Sequence, residues 1–225
     1  MSVWVVVVAG GSGTRFGGAK QFAALGDVRV VDHSVRAART CGRVVLVVPA
    51  SGRSVPPHPG SGAGPRADLV VEGGSTRAGS VRAGLAHVPA GAEVIVVHDA
   101  ARPLAHAALF RAVVEGVRAG AAGAVPGLPV SDTLKRVEGG RVLATVDRSG
   151  LVAVQTPQAF DAGALRRAHA GQGDATDDAA LIEDDGGRVV VVPGDPFNIK
   201  ITTPADLEIA EALLGRRAAE WATGR

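Results

Sequence analysis

Four uninterrupted apolar runs, each closed by a polar or glycine-rich loop, govern what this chain can fold into. They lie at Val3–Val8 and at residues 44–48, 69–71 and 94–97. A short strand at 28–31 and helices at 32–39, about 75–86 and 106–119 fall between and after them, with Asp32 and Ser75 as caps of the first two helices. Strands that are apolar throughout, rather than alternating, belong in a parallel sheet covered by helices on both faces. In such sheets ligands sit beyond the carboxyl ends of the strands. The loops at Gly10, Gly73 and Asp99 all follow strands in this way. The expected class is therefore α/β, a Rossmann-like, mostly parallel sheet sandwiched by helices.

The first loop, AGGSGTRFGGAK over residues 9–20, carries five glycines and two cations, Arg15 and Lys20. Glycine has no Cβ, so consecutive N–H groups can turn toward one anion. Three familiar loops do not fit. Phe16 occupies the third glycine of a dinucleotide fingerprint. Ala19 and Gln21 break the lysine-hydroxyl pattern of a Walker loop. Thr14 breaks the serine-hydrolase elbow. The choice left is an anion cradle or a flexible turn, and the placement of the cations favours the cradle.

The chain of 225 residues is long enough for a sizeable core, and we expect one domain over 1–225. Its charges nearly balance, no like-charge run suggests a nucleic-acid tail, and the scarcity of aromatics argues against base-stacking platforms. A lone Cys41 excludes an intrachain disulfide and fits a reducing compartment. The first apolar run is too short for a signal sequence or a membrane span, so a cytoplasmic location is expected, with no membrane and no nucleic-acid partner. Residues 50–66, rich in Gly, Pro and Ser, read as a surface excursion.

Beyond residue 128 the pattern changes. Residues 129–156 alternate short β-like pieces with charges around the turn Glu138-Gly139-Gly140, and read as an inserted β-arm. Such an arm has too few apolar residues to bury a core alone and suits packing on a second copy of the chain. Helices at 161–170 and 176–185, the latter capped by Thr176, follow. Strands at 189–192 and 198–202 come next, then a terminal helix opened by Pro204.

Asp99 stands after a strand end, opposite the first loop. A carboxylate there can hold a hydrated Mg²⁺, an ion that keeps its waters and takes one or two acids plus phosphate oxygens. Arg102 can grip an anionic group bidentately; a structural Asp–Arg pair is the even alternative. The six histidines show no zinc spacing, and His98 reads as a buried, hydrogen-bonded side chain. Lysine occurs only at 20, 135 and 200, all within candidate motifs. A buried Lys200 would be costly without an anion.

Taken in order, AGGSGTRFGGAKQF, EGGSTRAGS, HDAARP, PVSDTLKR, TVDR, QTPQAF, TDDA and FNIKITTP resemble the 2-C-methyl-D-erythritol 4-phosphate cytidylyltransferases of the non-mevalonate isoprenoid pathway. The resemblance runs from Val3 to about Leu214, and the combination of HDAARP, DTLKR and NIKITTP is its specific part. It implies a homodimer held by the β-arm, with CTP and a polyol phosphate as substrates and Mg²⁺ as cofactor. It implies that Ala9, Gly10, Gly11, Gly13, Gly74 and Ser80 hold the nucleotide. Arg15, Lys20 and Lys200 would be catalytic, contacting phosphates. Asp99, Ala100 and Arg102 would line the methylerythritol phosphate pocket, with Asp99 also a water-mediated metal contact. Thr133 and Arg148 would reach the neighbouring subunit's substrate. The chain departs from the family pattern at Ala19, where proline is common, and at Phe197, where an acid is common.

The chemistry implied is in-line attack of a substrate phosphate oxygen on the α-phosphorus of CTP. That nucleophile is already anionic, so no general base is required, in keeping with the lack of a His–acid dyad. Rival readings are a ribitol-phosphate cytidylyltransferase, which shares fold and most motifs, and a non-catalytic nucleotide-binding regulator, which would need neither Lys200 nor the arm cations. An NAD-dependent dehydrogenase is disfavoured by Phe16.

Overall fold

The computed structural model of the chain describes residues 2–11, 16–49, 67–171 and 177–222, with side chains through residue 216. The strands in chain order are β1 (Val3–Val8), β2 (Ala24–Leu25), β3 (Val28–Arg29), β4 (Arg43–Val48), β5 (Leu69–Glu72), β6 (Val94–Asp99), β7 (Gly123–Pro129), β8 (Leu134–Glu138), β9 (Arg141–Val146), β10 (Val152–Val154), β11 (Gln158–Asp161) and β12 (Val189–Pro193). The helices are α1 (Val30–Ala38), α2 (Arg77–Leu85), α3 (Ala107–Arg118), α4 (Ala162–Ala168), α5 (Asp178–Asp184) and α6 (Pro204–Ala222). The main sheet runs β10-β7-β11-β6-β1-β4-β5, with β12 also paired to β7.

The four apolar runs pair in parallel as β6-β1-β4-β5. Their alternate side chains enter two different cores. Val5, Val7, Leu46 and Val96 pack with Val35 of α1 and Phe110 and Val113 of α3. Trp4, Val6, Val47 and Ile95 pack with Val81 of α2, Leu165 of α4 and Ile182 of α5. Burial on both faces is why the runs never alternate with polar residues. Gly84 of α2 shows how close the layers come: a Cβ there would stand 2.5 Å from Val6 Cγ1.

The chain leaves β1 for β4 on one side and lies beside β6 on the other, so the strand order reverses at the carboxyl ends of β1 and β6. The Ala9 N–H donates to Val47 O at 2.7 Å and the Ala100 N–H to Val8 O at 2.9 Å, which splays the two loops apart. A crevice at this reversal is where open α/β sheets bind ligands.

Several elements differ from the sequence expectation. Strand β7 has no counterpart there, because Pro126, Pro129, Gly123 and Gly127 disguise it; β11 has none either, only its last residue, Asp161, falling in the helix expected over 161–170, and it runs antiparallel between β6 and β7. The detached part of the arm is only the β8–β9 hairpin, since β10 returns to the main sheet against β7. Asp32 does not cap α1. Arg29 does, and Asp32 accepts its backbone N–H from the third helical position at 3.0 Å. Thr76, not Ser75, caps α2, accepting the Gly79 N–H at 3.0 Å. Residues 198–202 form no strand; side-chain bonds hold them instead. Asp177 caps α5, accepting the Ala180 N–H at 3.1 Å. The expected Thr176 cap and the 50–66 excursion lie outside the described residues.

Candidate active site

A cleft of about 410 Å³ opens at the strand-order reversal. The ends of β1 and β6 form its floor, and the first loop and the start of α2 form its walls. Ala9, Gly10, Gly11, Lys20, Ser80, Asp99, Ala100 and Lys200 all line it, although they come from four separate stretches of sequence. Gly10 approaches α2 closely, since a Cβ there would stand 3.0 Å from Ser80 Oγ. The Ser80 hydroxyl donates to Thr76 O at 2.9 Å, so it fixes the wall while leaving lone pairs toward neighbours. Gly74 presses on the same turn and takes no part in the lining: a Cβ there would meet Gly79 C at 2.8 Å. Gly13 and Arg15 lie outside the described residues.

A second cleft of about 230 Å³ adjoins the first, and Arg77, Asp99 and Lys200 line both. Arg102 lines the second, with Gln155, Thr156 and Gln158. Two clefts with one shared wall suit two ligands whose reacting ends must meet.

That shared wall is a cluster of charges. Asp99 Oδ2 accepts from Lys200 Nζ at 2.7 Å, and Oδ1 accepts from Arg77 Nε at 3.3 Å. Burial alone would raise the Asp99 carboxyl, but Arg77, then Lys200 and Arg102, hold it well below the usual carboxylate range. Burial pulls Arg102 below its ordinary value, with Asp99 working against that shift. Arg77 has no assignment from the sequence, where it reads as one residue of EGGSTRAGS. Its position at the first residue of α2 and its spacing from Asp99 across the sheet carry no local signal.

A web of hydrogen bonds sets these side chains. The Asp99 N–H donates to Thr156 Oγ1 at 3.0 Å. Thr156 Oγ1 also lies 3.1 Å from His98 Nδ1. Asn198 Nδ2 donates to Thr156 O at 2.8 Å, and Arg102 Nη1 donates to Asn198 O at 2.8 Å. Gln155 Nε2 donates to Asp195 O at 2.9 Å, and its Oε1 accepts the Asp195 N–H at 3.1 Å. Residues 195–200 are thus clamped to the β10–β11 connection, which places Lys200 on Asp99 without a strand. On the far side, Asp206 accepts from Thr202 and Thr203 N–H at 2.7 Å each. Partial burial would raise the Asp206 carboxyl, but those donors and the Lys20 charge hold it below the usual range.

Residues 3–216 match the model of the 2-C-methyl-D-erythritol 4-phosphate cytidylyltransferase family. The chain belongs to that family. It is 45% identical to the 2-C-methyl-D-erythritol 4-phosphate cytidylyltransferase of Streptomyces avermitilis, over 94% of this chain and 91% of that protein. It is 47% identical to the bifunctional enzyme IspD/IspF of Clavibacter michiganensis, over 95% of this chain; the match spans only 55% of that longer protein. The crystal structure of the Thermus thermophilus 2-C-methyl-D-erythritol 4-phosphate cytidylyltransferase superimposes with a TM-score of 0.77 at 34% identity, covering 93% of this chain and 97% of that one.

An α/β sheet carries the cleft. The arm residues stand apart from it. Thr133 and Arg148 line neither cleft of their own chain; Thr133 is exposed, and the Arg148 guanidinium donates to Ser131 O, holding the base of the hairpin. The hairpin exposes Val137, Val142 and Leu143, each half or more open to solvent. Among the described residues, no group of three or more His, Cys, Asp or Glu side chains could hold a metal ion, and no helix is long and apolar enough to cross a membrane.

Proposed function

We propose that this chain joins CTP to 2-C-methyl-D-erythritol 4-phosphate, giving 4-diphosphocytidyl-2-C-methyl-D-erythritol and pyrophosphate. Family membership supplies the reaction class. The supporting observation in the structure is the shared wall of Asp99, Arg77 and Lys200 between two adjoining clefts. CTP occupies the larger cleft, with its base toward Gly10 and Ser80 and its phosphates toward Lys20 and Lys200. The methylerythritol phosphate occupies the smaller cleft beside Arg102. Its phosphate oxygen attacks the α-phosphorus in line and pyrophosphate leaves.

Both reactants are anions, so the protein's task is to position them and offset their repulsion. Lys20 and Lys200, which line the same cleft, do this, with Arg15 assigned to the triphosphate by the family pattern. Asp99 is a single acid whose two oxygens already accept from cations, so an Mg²⁺ ion beside it would keep its waters and take most of its ligands from phosphate. Such an ion would neutralise triphosphate charge. A homodimer in which Thr133 and Arg148 complete the partner's smaller cleft accounts for an apolar hairpin left uncovered in one chain. The whole functions as one nucleotidyltransferase unit over 1–225, in the cytoplasm.

The test is pyrophosphate release from purified protein, CTP and Mg²⁺ with either methylerythritol phosphate or ribitol 5-phosphate. Release with the first and not the second is expected. Release only with ribitol 5-phosphate would reassign the substrate, and none with any polyol phosphate would refute an enzyme of this class.

A further inference from the structure

Behind the shared wall lies a buried acid that the reaction as described does not use. Asp178, the first residue of α5, is 1% exposed at its side chain. It accepts from Arg77 Nη1 at 2.8 Å through Oδ2 and from His169 Nε2 at 3.0 Å through Oδ1. His169, just past the end of α4, is equally buried. A carboxylate can only accept, so the His169 Nε2 carries the hydrogen. Each oxygen of Asp178 therefore has one fixed donor, and His169 holds the carboxylate from the side opposite Arg77.

Arg77 is consequently pinned at two points of its fork, Nε on Asp99 and Nη1 on Asp178. A guanidinium held at two nitrogens cannot rotate away, which a lysine ammonium could do. Lys200 differs. Its side chain is 44% exposed, against 25% for Arg77, and of the two carboxylates in the cluster it meets only Asp99. The two cations on Asp99 are therefore unequal, one anchored and one able to leave.

We propose that Asp178, backed by His169, is a positioning residue that keeps Arg77 as a standing counter-ion for Asp99, freeing Lys200 to move onto substrate phosphate. Without the anchored guanidinium, departure of Lys200 would leave the buried carboxylate to the weaker influence of Arg102 alone, which is unfavourable. With it, Lys200 trades one oxygen anion for another and Asp99 stays ionised and in place. The proposal rests on the reading of Lys200 as a phosphate contact.

Two measurements on the full chain test it. The first is thermal unfolding of Lys200→Met, Arg77→Gln and the double variant without substrates. If Arg77 is the standing counter-ion, the double variant loses about 2–4 °C or more beyond the sum of the single losses, the shift expected for a coupling near 1 kcal/mol in a chain this long. Additive losses would overturn the proposal, whatever substrate the enzyme accepts. The second is steady-state turnover of Asp178→Asn, Arg77→Lys and their combination. Asp178→Asn should lower kcat on the order of tenfold, within the range for coupled neighbours, with KM for CTP little changed. Combining it with Arg77→Lys should cost no more than Arg77→Lys alone. Unchanged kcat in Asp178→Asn, or independent effects, would contradict the positioning role. Should Asp178→Asn not fold, Arg77→Lys at full kcat would do so alone. Inactivity of the unmodified protein would count against the substrate assignment, while the unfolding comparison would still decide the counter-ion.

Discussion

The chemistry at the cleft depends on a few side chains whose charge states are set by depth. His98 is wholly buried beneath Asp99 and touches the Phe110 ring, with centroids 5.1 Å apart. Burial, aided by the Arg102 charge and opposed by Asp99, pushes its pKa down to about 4. An unfolded histidine takes up its proton near pH 6.5, so between there and about 4 the unfolded chain binds a proton that the folded one refuses. Stability must therefore fall as pH drops through that window, by about 1.4 kcal/mol per pH unit for one group. His98→Gln should flatten this part of the curve in urea titrations run at steps from neutral pH down through the window. An unchanged slope would show that His98 is not the group refusing the proton. Asp99 acts with the same sign at lower pH: its carboxyl is held below its ordinary value of 3.8, so it adds stability that is lost as pH falls toward and below that value. The placement of Asp99 and Lys200 in motifs was legible from strand ends and from the scarcity of lysine. Arg77, Asp178 and His169 were not, because their meaning lies in contacts across 9, 22 and 101 residues of chain.

Among the elements, the parallel strands were legible because burial on both faces leaves an unbroken apolar run. Strand β7 was hidden by its prolines and glycines, and Gly127 is demanded by its neighbours, since a Cβ there would stand 2.7 Å from Val191 Cγ1. The 198–202 segment looked like a strand because Ile199 and Ile201 alternate, yet only Ile201 pairs with the backbone of Ala101. Its order comes from Gln155 and Thr156, whose partners no local pattern reveals. Helix α2 offers a direct test of layer packing. On an exposed helix Gly→Ala would stabilise by up to about 1 kcal/mol. At Gly84 the new methyl would collide with Val6 and Val47, both fully buried. Gly84→Ala is expected to destabilise by about 1–3 kcal/mol in denaturant unfolding. A gain in stability would mean that the helix can lift off the sheet freely. The β8–β9 hairpin carries a different expectation. Val137 and Val142 are directly paired and both about half exposed, an uncovered apolar face. If the hairpin pairs two copies as proposed, Val137→Lys with Val142→Glu converts dimer to monomer in sedimentation while circular dichroism stays unchanged. A dimer that survives both changes would place the subunit contact elsewhere.

For the molecule as a whole, the sheet's order of strands gathers distant segments at one rim. Lys20 follows β1, Asp99 ends β6 and Lys200 sits on a clamped loop far along the chain, yet all three line one cleft. A cluster this rich in cations is costly to assemble with no anion present, and Asp99, Asp178 and Asp206 offset it in the unliganded protein. On the proposed reading such a rim contributes charge at the point where two phosphorylated reactants approach, so its value would belong to the transition state rather than to nucleotide binding. The decisive measurement is therefore turnover at saturating substrates taken together with the CTP dissociation constant, on Lys20→Ala and Lys200→Ala. Each should lose roughly 10²–10³ in kcat, as for removal of one preorganised donor, while CTP binding changes only a few-fold. Variants that bind CTP poorly but turn over normally once saturated would show that these lysines only hold the nucleotide, and that the charge does not serve the chemical step.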